Sequence, residues 1–107
     1  MVDSVALRER LIGEDLDPGA WSNGPGDHYP AHAHAYDKII VVASGSIRFG
    51  LPGELDSFDL HAGDRLELAA GVVHDANAGP SGVACLEAHL PAGSLRNGTI
   101  RQADGSW

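Results

Sequence analysis

Short strand patterns separated by turn residues recur along most of this chain and constrain its fold more than any other feature. Apolar and polar residues alternate in segments such as 57–60 and 65–68, as in strands with one buried face. Fourteen glycines and six prolines in 107 residues supply turns between such segments. Roughly eight strands with regular turns predict an all-β sandwich or small barrel. Residues 4–12 predict a short helix before it.

Residues 38–43 depart from this alternation, because four consecutive aliphatic side chains, Ile39 to Val42, occupy both faces. A strand of this kind is predicted to have little water on either side. Ser44–Gly45 and residues 79–82 are predicted to be turns that end the neighbouring strands. Residues 20–26 predict a short irregular segment, with Trp21 as a packing anchor.

The length of the chain predicts one domain with a single core. We expect an N-terminal helix and turn at residues 1–19, a barrel at residues 20–90 and a C-terminal extension at residues 91–107. In that extension, Ile100 and Trp107 are the apolar residues expected to dock on the barrel.

The net charge of −8 and the other composition features exclude several function classes. Nucleic-acid binding and attraction to an anionic membrane surface both need a basic face, so neither is expected. No apolar run approaches the ~20 residues needed to span a bilayer. The N-terminus lacks the apolar core of a signal peptide, and a single cysteine permits no intrachain disulfide. A reducing, cytoplasmic location is therefore expected.

Three histidines in two of the strand patterns are candidate metal ligands. His32 and His34 are two residues apart, so in a strand they point to the same face, and His74 follows forty residues later. Neutral imidazole suits divalent Fe, Zn, Ni, Cu and Mn. Three protein ligands leave open positions for water or substrate, which is typical of a reactive site.

These residues resemble the two sequence motifs of the cupin superfamily. Four residues match the first motif and three match the second, namely Gly26, His32, His34, Gly45, Gly63, Gly71 and His74. In the second motif Ala69 replaces a proline, and Asn77 lies one place early. The resemblance covers about residues 20–90, and its short gap between motifs is similar to compact, bacterial-type single-domain cupins. It implies a double-stranded β-helix, or jelly roll, with a metal in the barrel mouth, and a homodimer.

The chain departs from the family pattern at Lys38, where a glutamate ligand is usual. Strand alternation places Lys38 on the inward face with the histidines and Asp37 on the other face. One alternative is that Lys38 turns aside toward an acid such as Glu87 or Glu67, leaving a three-histidine site. A second is that Lys38 is a neutral or substrate-binding group that attracts a carboxylate to the metal. As a third alternative, its charge weakens metal binding and leaves a ligand-binding barrel without metal.

Other polar residues are candidates for contact with a substrate. His28, Tyr36 and Lys38 share the predicted inward face and are our candidate substrate-binding residues, although His28 is also typical of a barrel rim. His89 is expected to be a structural partner, and Cys85 a small buried apolar residue. No residue is assigned a catalytic role from the sequence.

The leading hypothesis is a small metal-binding cupin that binds a polar small molecule and acts as a dioxygenase or isomerase. Its cofactor would be a divalent transition metal (Fe, Zn, Ni or Mn). The alternative is a non-enzymatic ligand-binding or sensing cupin, with or without metal, because one fold hosts many functions. A third hypothesis is a metal-free barrel for association, with Ile39, Val41 and the N-terminal helix at a dimer interface.

Overall fold

The computed structural model describes residues 4–54, 56–95 and 100–102, in which one α-helix precedes seven strands. None of the helices among these residues has the length and apolar character needed to cross a membrane. The elements are α1 (Ser4–Gly13), β1 (Gly19–Asn23), β2 (His28–His32), β3 (Asp37–Leu51), a 3₁₀ turn (Pro52–Glu54), β4 (Asp56–His61), β5 (Arg65–Leu68), β6 (His74–Leu90) and β7 (Ile100–Gln102).

Two long strands, β3 with 15 residues and β6 with 17, pair antiparallel and organise the fold. Their halves pair with different neighbours: β5 and β4 pair with the first and second halves of β3, and β2 and β1 pair with the first and second halves of β6. All seven strands belong to one hydrogen-bonded sheet, with the order β1–β6–β3–β5–β7 and with β2 on β6 and β4 on β3. This antiparallel sheet forms a jelly-roll barrel, the fold that the motif resemblance implied.

Glycines make the bends in the two long strands. Gly45 and Gly82 have φ angles of +74° and +76°, and a side chain at Gly45 would overlap the carbonyl of Gly82. The β3–β6 register shifts on both sides of Gly45, as in a β-bulge. The turns predicted at Ser44–Gly45 and at residues 79–82 were therefore wrong, because glycine here bends a continuous strand pair.

The two faces of β3 are buried by different partners. Ile40 and Val42 face the barrel interior and pack in its core, together with side chains such as Leu66. Ile39 and Val41, on the outer face, are only 2% and 0% exposed, because they belong to the cluster that contains two leucines of α1. The two-sided apolar pattern is thus explained within the chain. Ile39 and Val41 cannot form the dimer interface that the third hypothesis placed there.

Strands β1 and β7 form where the sequence indicated irregular chain or an extension. β1 shows mainly exposed side chains, and it is held by backbone pairing along β6 from Gly19–Glu87 to Asn23–Val83. β1 has few apolar residues, so its sequence shows little of the alternation from which a strand is predicted. β7 pairs with β5, so part of the predicted extension belongs to the sheet. Trp107 lies outside the described residues.

Candidate metal centre

The three predicted histidines meet at one end of the barrel. His32 ends β2 and is paired in register with His74, the first residue of β6. His34 lies two residues beyond β2 in the loop before β3, and its carbonyl accepts a 2.9 Å hydrogen bond from Gly71 N. One potential ligand atom from each ring lies within 4.8 Å of the others. The strand alternation used in the prediction does not extend to His34, which reaches the cluster from a loop.

Hydrogen bonds assign the tautomer of each ring. His32 Nδ1 lies 2.6 Å from the Pro30 carbonyl, and His74 Nδ1 lies 3.0 Å from the Val72 carbonyl. Because a carbonyl only accepts, both Nδ1 atoms carry the proton and both Nε2 atoms carry a lone pair. His34 Nε2 lies 3.4 Å from the Lys38 ammonium, which only donates, so its lone pair is also on Nε2.

Burial lowers the pKa of two of these rings and so favours their neutral form. Burial is the main cause that lowers the pKa of His74, and the positive charge of Lys38 lowers it further. The pKa of His34 is lowered by the same two causes in the same order. His74 Nε2 is buried and, among the described residues, has no hydrogen-bond partner. A buried lone pair without a partner is costly unless something binds it.

The Lys38 side chain lines the cavity, beside His34 and close to Glu87. Its Nζ is 3.5 Å from Glu87 Oε1 and 3.4 Å from His34 Nε2, and its side chain is only 10% exposed. Glu67, the other acid considered from the sequence, instead pairs with Arg65 at 3.1 Å. Asp37 points away from the cavity, and its carboxylate accepts hydrogen bonds from the backbone N–H groups of Ala70 and Leu95.

Glu87 is the centre of a small polar network in the cavity wall. The Trp21 indole N–H donates to its Oε1 at 3.2 Å, the same oxygen that faces Lys38. Its other oxygen lies 2.7 Å from His89 Nε2. The carboxylate is therefore held by three side chains from three segments of the chain. The sequence suggested Glu87 as a partner of Lys38 and His89 as a structural partner, but it gave no sign of Trp21 beside Glu87.

A cavity of about 240 Å³ opens onto the histidines. Lys38 and Glu87 supply polar groups to its wall, while Trp21, Phe49 and Ala76 supply apolar surface. Sequence reasoning treated Trp21 as a packing residue and did not single out Phe49. Phe49 and Ala76 are register partners on β3 and β6, a pairing that no local pattern indicates.

The other two candidate substrate residues, His28 and Tyr36, are not among the described residues that line the cavity. His28 is exposed and lies 2.8 Å from Asn77 Oδ1. The Tyr36 ring stacks between His34 and His89, with centroid distances of 4.9 Å and 4.2 Å. Tyr36 is thus placed to support the ring of His34.

Cys85 lies behind the cavity in the barrel core. It is 2% exposed, and burial raises the pKa of its thiol to about 12. The thiol is therefore protonated and unreactive near neutral pH, and Cys85 packs as a small apolar residue.

Comparisons with known proteins place the fold. No family model and no curated protein matches the chain. A Lactobacillus farciminis oxalate decarboxylase in complex with formate matches over 79% of this chain and 26% of its own, with 26% identity and a TM-score of 0.61. Escherichia coli YhaK matches over 82% of this chain and 42% of its own, with 18% identity and a TM-score of 0.67.

A Bacillus subtilis oxalate decarboxylase, in a structure concerned with its Mn(II) centres, matches over 89% of this chain and 26% of its own. The identity is 24% and the TM-score is 0.62. Oxalate decarboxylase and YhaK are both cupin-fold proteins. The chain therefore belongs to the cupin superfamily, and the resemblance seen in its two motifs is confirmed. It spans 26% of the length of each oxalate decarboxylase and 42% of the length of YhaK.

Proposed function

We propose that this cupin binds a divalent transition metal through Nε2 of His32, His34 and His74, and a polar small molecule in the adjoining cavity. The observation that carries the proposal is the buried, unpartnered Nε2 of His74, with two further imidazoles within 4.8 Å. A shared metal ion would satisfy all three lone pairs at once.

The donor set fits such an ion. Neutral imidazoles are ligands for Mn, Fe, Ni and Zn, and the backbone carbonyls that bind Nδ1 of His32 and His74 hold these rings in a ligating orientation. When bound, the metal would supply Lewis acidity or a redox centre. The Mn(II) centres of the Bacillus subtilis neighbour support a divalent metal in this fold.

Side chains of the cavity wall would define the environment of the bound ion and of its ligand. The apolar surfaces of Trp21 and Phe49 limit water in the cavity, and Lys38 and Glu87 place opposite charges in its wall. A ligand would be positioned by these four residues. The resulting activity is proposed to be that of a dioxygenase or isomerase, which an oxygen-uptake assay on the metal-loaded protein separates.

A non-enzymatic binding or sensing cupin is the second candidate. It is favoured by the placement of Glu87, the acidic residue of the cavity wall, since its carboxylate is already engaged by three side chains. Saturable ligand binding without turnover would distinguish it. A cytoplasmic location and a homodimer stay part of the proposal, supported by the single cysteine and by the family resemblance.

The first test is the metal content of purified, tag-free protein measured by plasma mass spectrometry. We expect near-stoichiometric Fe, Mn, Ni or Zn in the wild type and loss of most of it in His74→Ala. His61→Ala is the matched control, because His61 is exposed at the end of β4. Equal metal content in His74→Ala and wild type would contradict the proposed site, as would a wild type that stays metal-free after reconstitution.

A further inference from the structure

We propose that the ligand of this site is a small monocarboxylate whose acidic group binds Lys38 and completes the metal centre in place of the missing glutamate. The inference rests on the proposed function and adds the chemical class of the ligand. It also predicts that metal and carboxylate bind cooperatively.

The charge around the site favours an anion. An imidazole binds a metal ion in its neutral form, so three such ligands would leave a bound divalent ion with its full charge. Lys38 adds a further positive charge to the wall, while Glu87 is the one acidic side chain among the described residues that line the cavity. The low exposure of Lys38 strengthens its interactions, because the effective dielectric constant is lower there than in water. The loaded site would keep a net charge of about +2, which favours an anionic ligand.

Lys38 has donors available for that charge. Its ammonium has three N–H groups, and its two described contacts are long, at 3.4 Å to His34 and 3.5 Å to Glu87. Metal binding at His34 Nε2 would take the lone pair that now accepts from Lys38. The ammonium would then keep only its contact with Glu87. A ligand carboxylate would then accept hydrogen bonds from the free N–H groups of the ammonium. Its negative charge would also reduce the repulsion between Lys38 and the metal.

Most of the remaining wall of the cavity suits an apolar ligand body. The hydroxyl of Tyr29, which also lines the cavity, already donates to Asn23 Oδ1 at 2.6 Å. The single N–H of Trp21 is already bonded to Glu87, so its indole offers the cavity only apolar surface. Phe49 and Ala76 are adjacent and carry no polar side-chain atoms. A cavity of about 240 Å³ has room for only a small molecule. These features favour one carboxylate with a short apolar body over a dicarboxylate or a sugar.

Metal binding and carboxylate binding should be thermodynamically coupled, and this coupling can be measured. If a carboxylate relieves repulsion between Lys38 and the metal, it must raise metal affinity, and the metal must raise carboxylate affinity by the same factor. Propionate is a suitable probe, and propionamide is its uncharged counterpart of nearly the same shape. Co²⁺ is a suitable metal, because its visible absorption reports its coordination.

The experiment is a titration of apo-protein with Co²⁺, by absorption and calorimetry, with propionate, with propionamide and with neither. We expect propionate to raise Co²⁺ affinity about tenfold, within the usual range of such coupling, and propionamide to have no effect. The Lys38→Met variant should bind Co²⁺ without the propionate effect. The Lys38→Glu variant should bind Co²⁺ more tightly than wild type and should also ignore propionate.

The outcomes separate this inference from the proposed function. Co²⁺ binding that propionate does not change, or that propionate changes equally in Lys38→Met, would overturn the inference alone. No Co²⁺ binding by folded wild type, even with propionate, would overturn the proposed function and the inference with it. Circular dichroism of each variant checks that the barrel is folded. A titration of His74→Ala, which lacks the proposed site, gives the signal that comes from Co²⁺–propionate complexes formed in solution.

Discussion

At the metal centre, hydrogen bonds on the far side of the rings decide which atoms face the cavity. The carbonyls of Pro30 and Val72 fix His32 and His74, whereas His34 is defined by Lys38. Lys38 is in turn shared with Glu87, at nearly equal distances from the two residues. The balance between these two contacts sets how strongly the ammonium competes with a metal for His34.

Removing the charge of Glu87 should therefore weaken metal binding. In Glu87→Gln, Lys38 loses its counter-charge and stays at His34, so we expect metal affinity to fall roughly tenfold, as for charges in one network. The double variant Lys38→Met/Glu87→Gln should recover most of this loss. Competition with a chromogenic chelator measures each affinity. An equal loss in the single and double variants would show that Glu87 acts independently of Lys38.

At the element scale, helix α1 covers the outer face of β3 and β6. Leu7 and Leu11 contact the cluster that includes Ile39 and Val41, while Ile12 on the same helix is 55% exposed. The cluster is separate from the barrel core and from the cavity. The helix should thus contribute to stability without shaping the site.

Leu11→Ala should destabilise the fold by ~2–5 kcal/mol, the usual cost of truncating a fully buried leucine. Ile12→Ala, one residue further along, should change stability by less than about 0.5 kcal/mol. Urea denaturation measures both. The metal content of folded Leu11→Ala should match wild type, and a marked loss of metal would show that α1 also supports the site.

At the scale of the whole molecule, Asp37 joins three distant parts of the chain. Its buried carboxylate, at the start of β3, accepts from Ala70 N before the His74 segment and from Leu95 N beyond β6. These backbone hydrogen bonds, Ala70 first, lower the pKa of Asp37. The ionised carboxylate therefore ties the start of β3 to both of these segments.

The contribution of Asp37 should depend on pH. Because its folded-state pKa is lowered, its stabilisation is complete above the unfolded value of about 3.9 and disappears as pH falls through the lower folded value. Asp37→Asn should thus have a lower melting temperature than wild type at neutral pH, and the difference should shrink in acid. Thermal melts between neutral and acidic pH measure it. A difference that is constant with pH would assign the loss to packing instead.

The sequence alone determined the strand periodicity of an all-β fold, and its motif resemblance implied the jelly-roll class and the histidine cluster. Strand periodicity is a local property, because residue spacing records which side chains share a buried face. Whether a glycine ends a strand or bends it depends on the neighbouring part of the chain. The role of Gly45 in bending β3 was therefore seen only from its close approach to Gly82. Likewise, β1 exists because β6 pairs with it. The pairing of Lys38 with Glu87 joins residues far apart in the chain, and only the tertiary structure decided it.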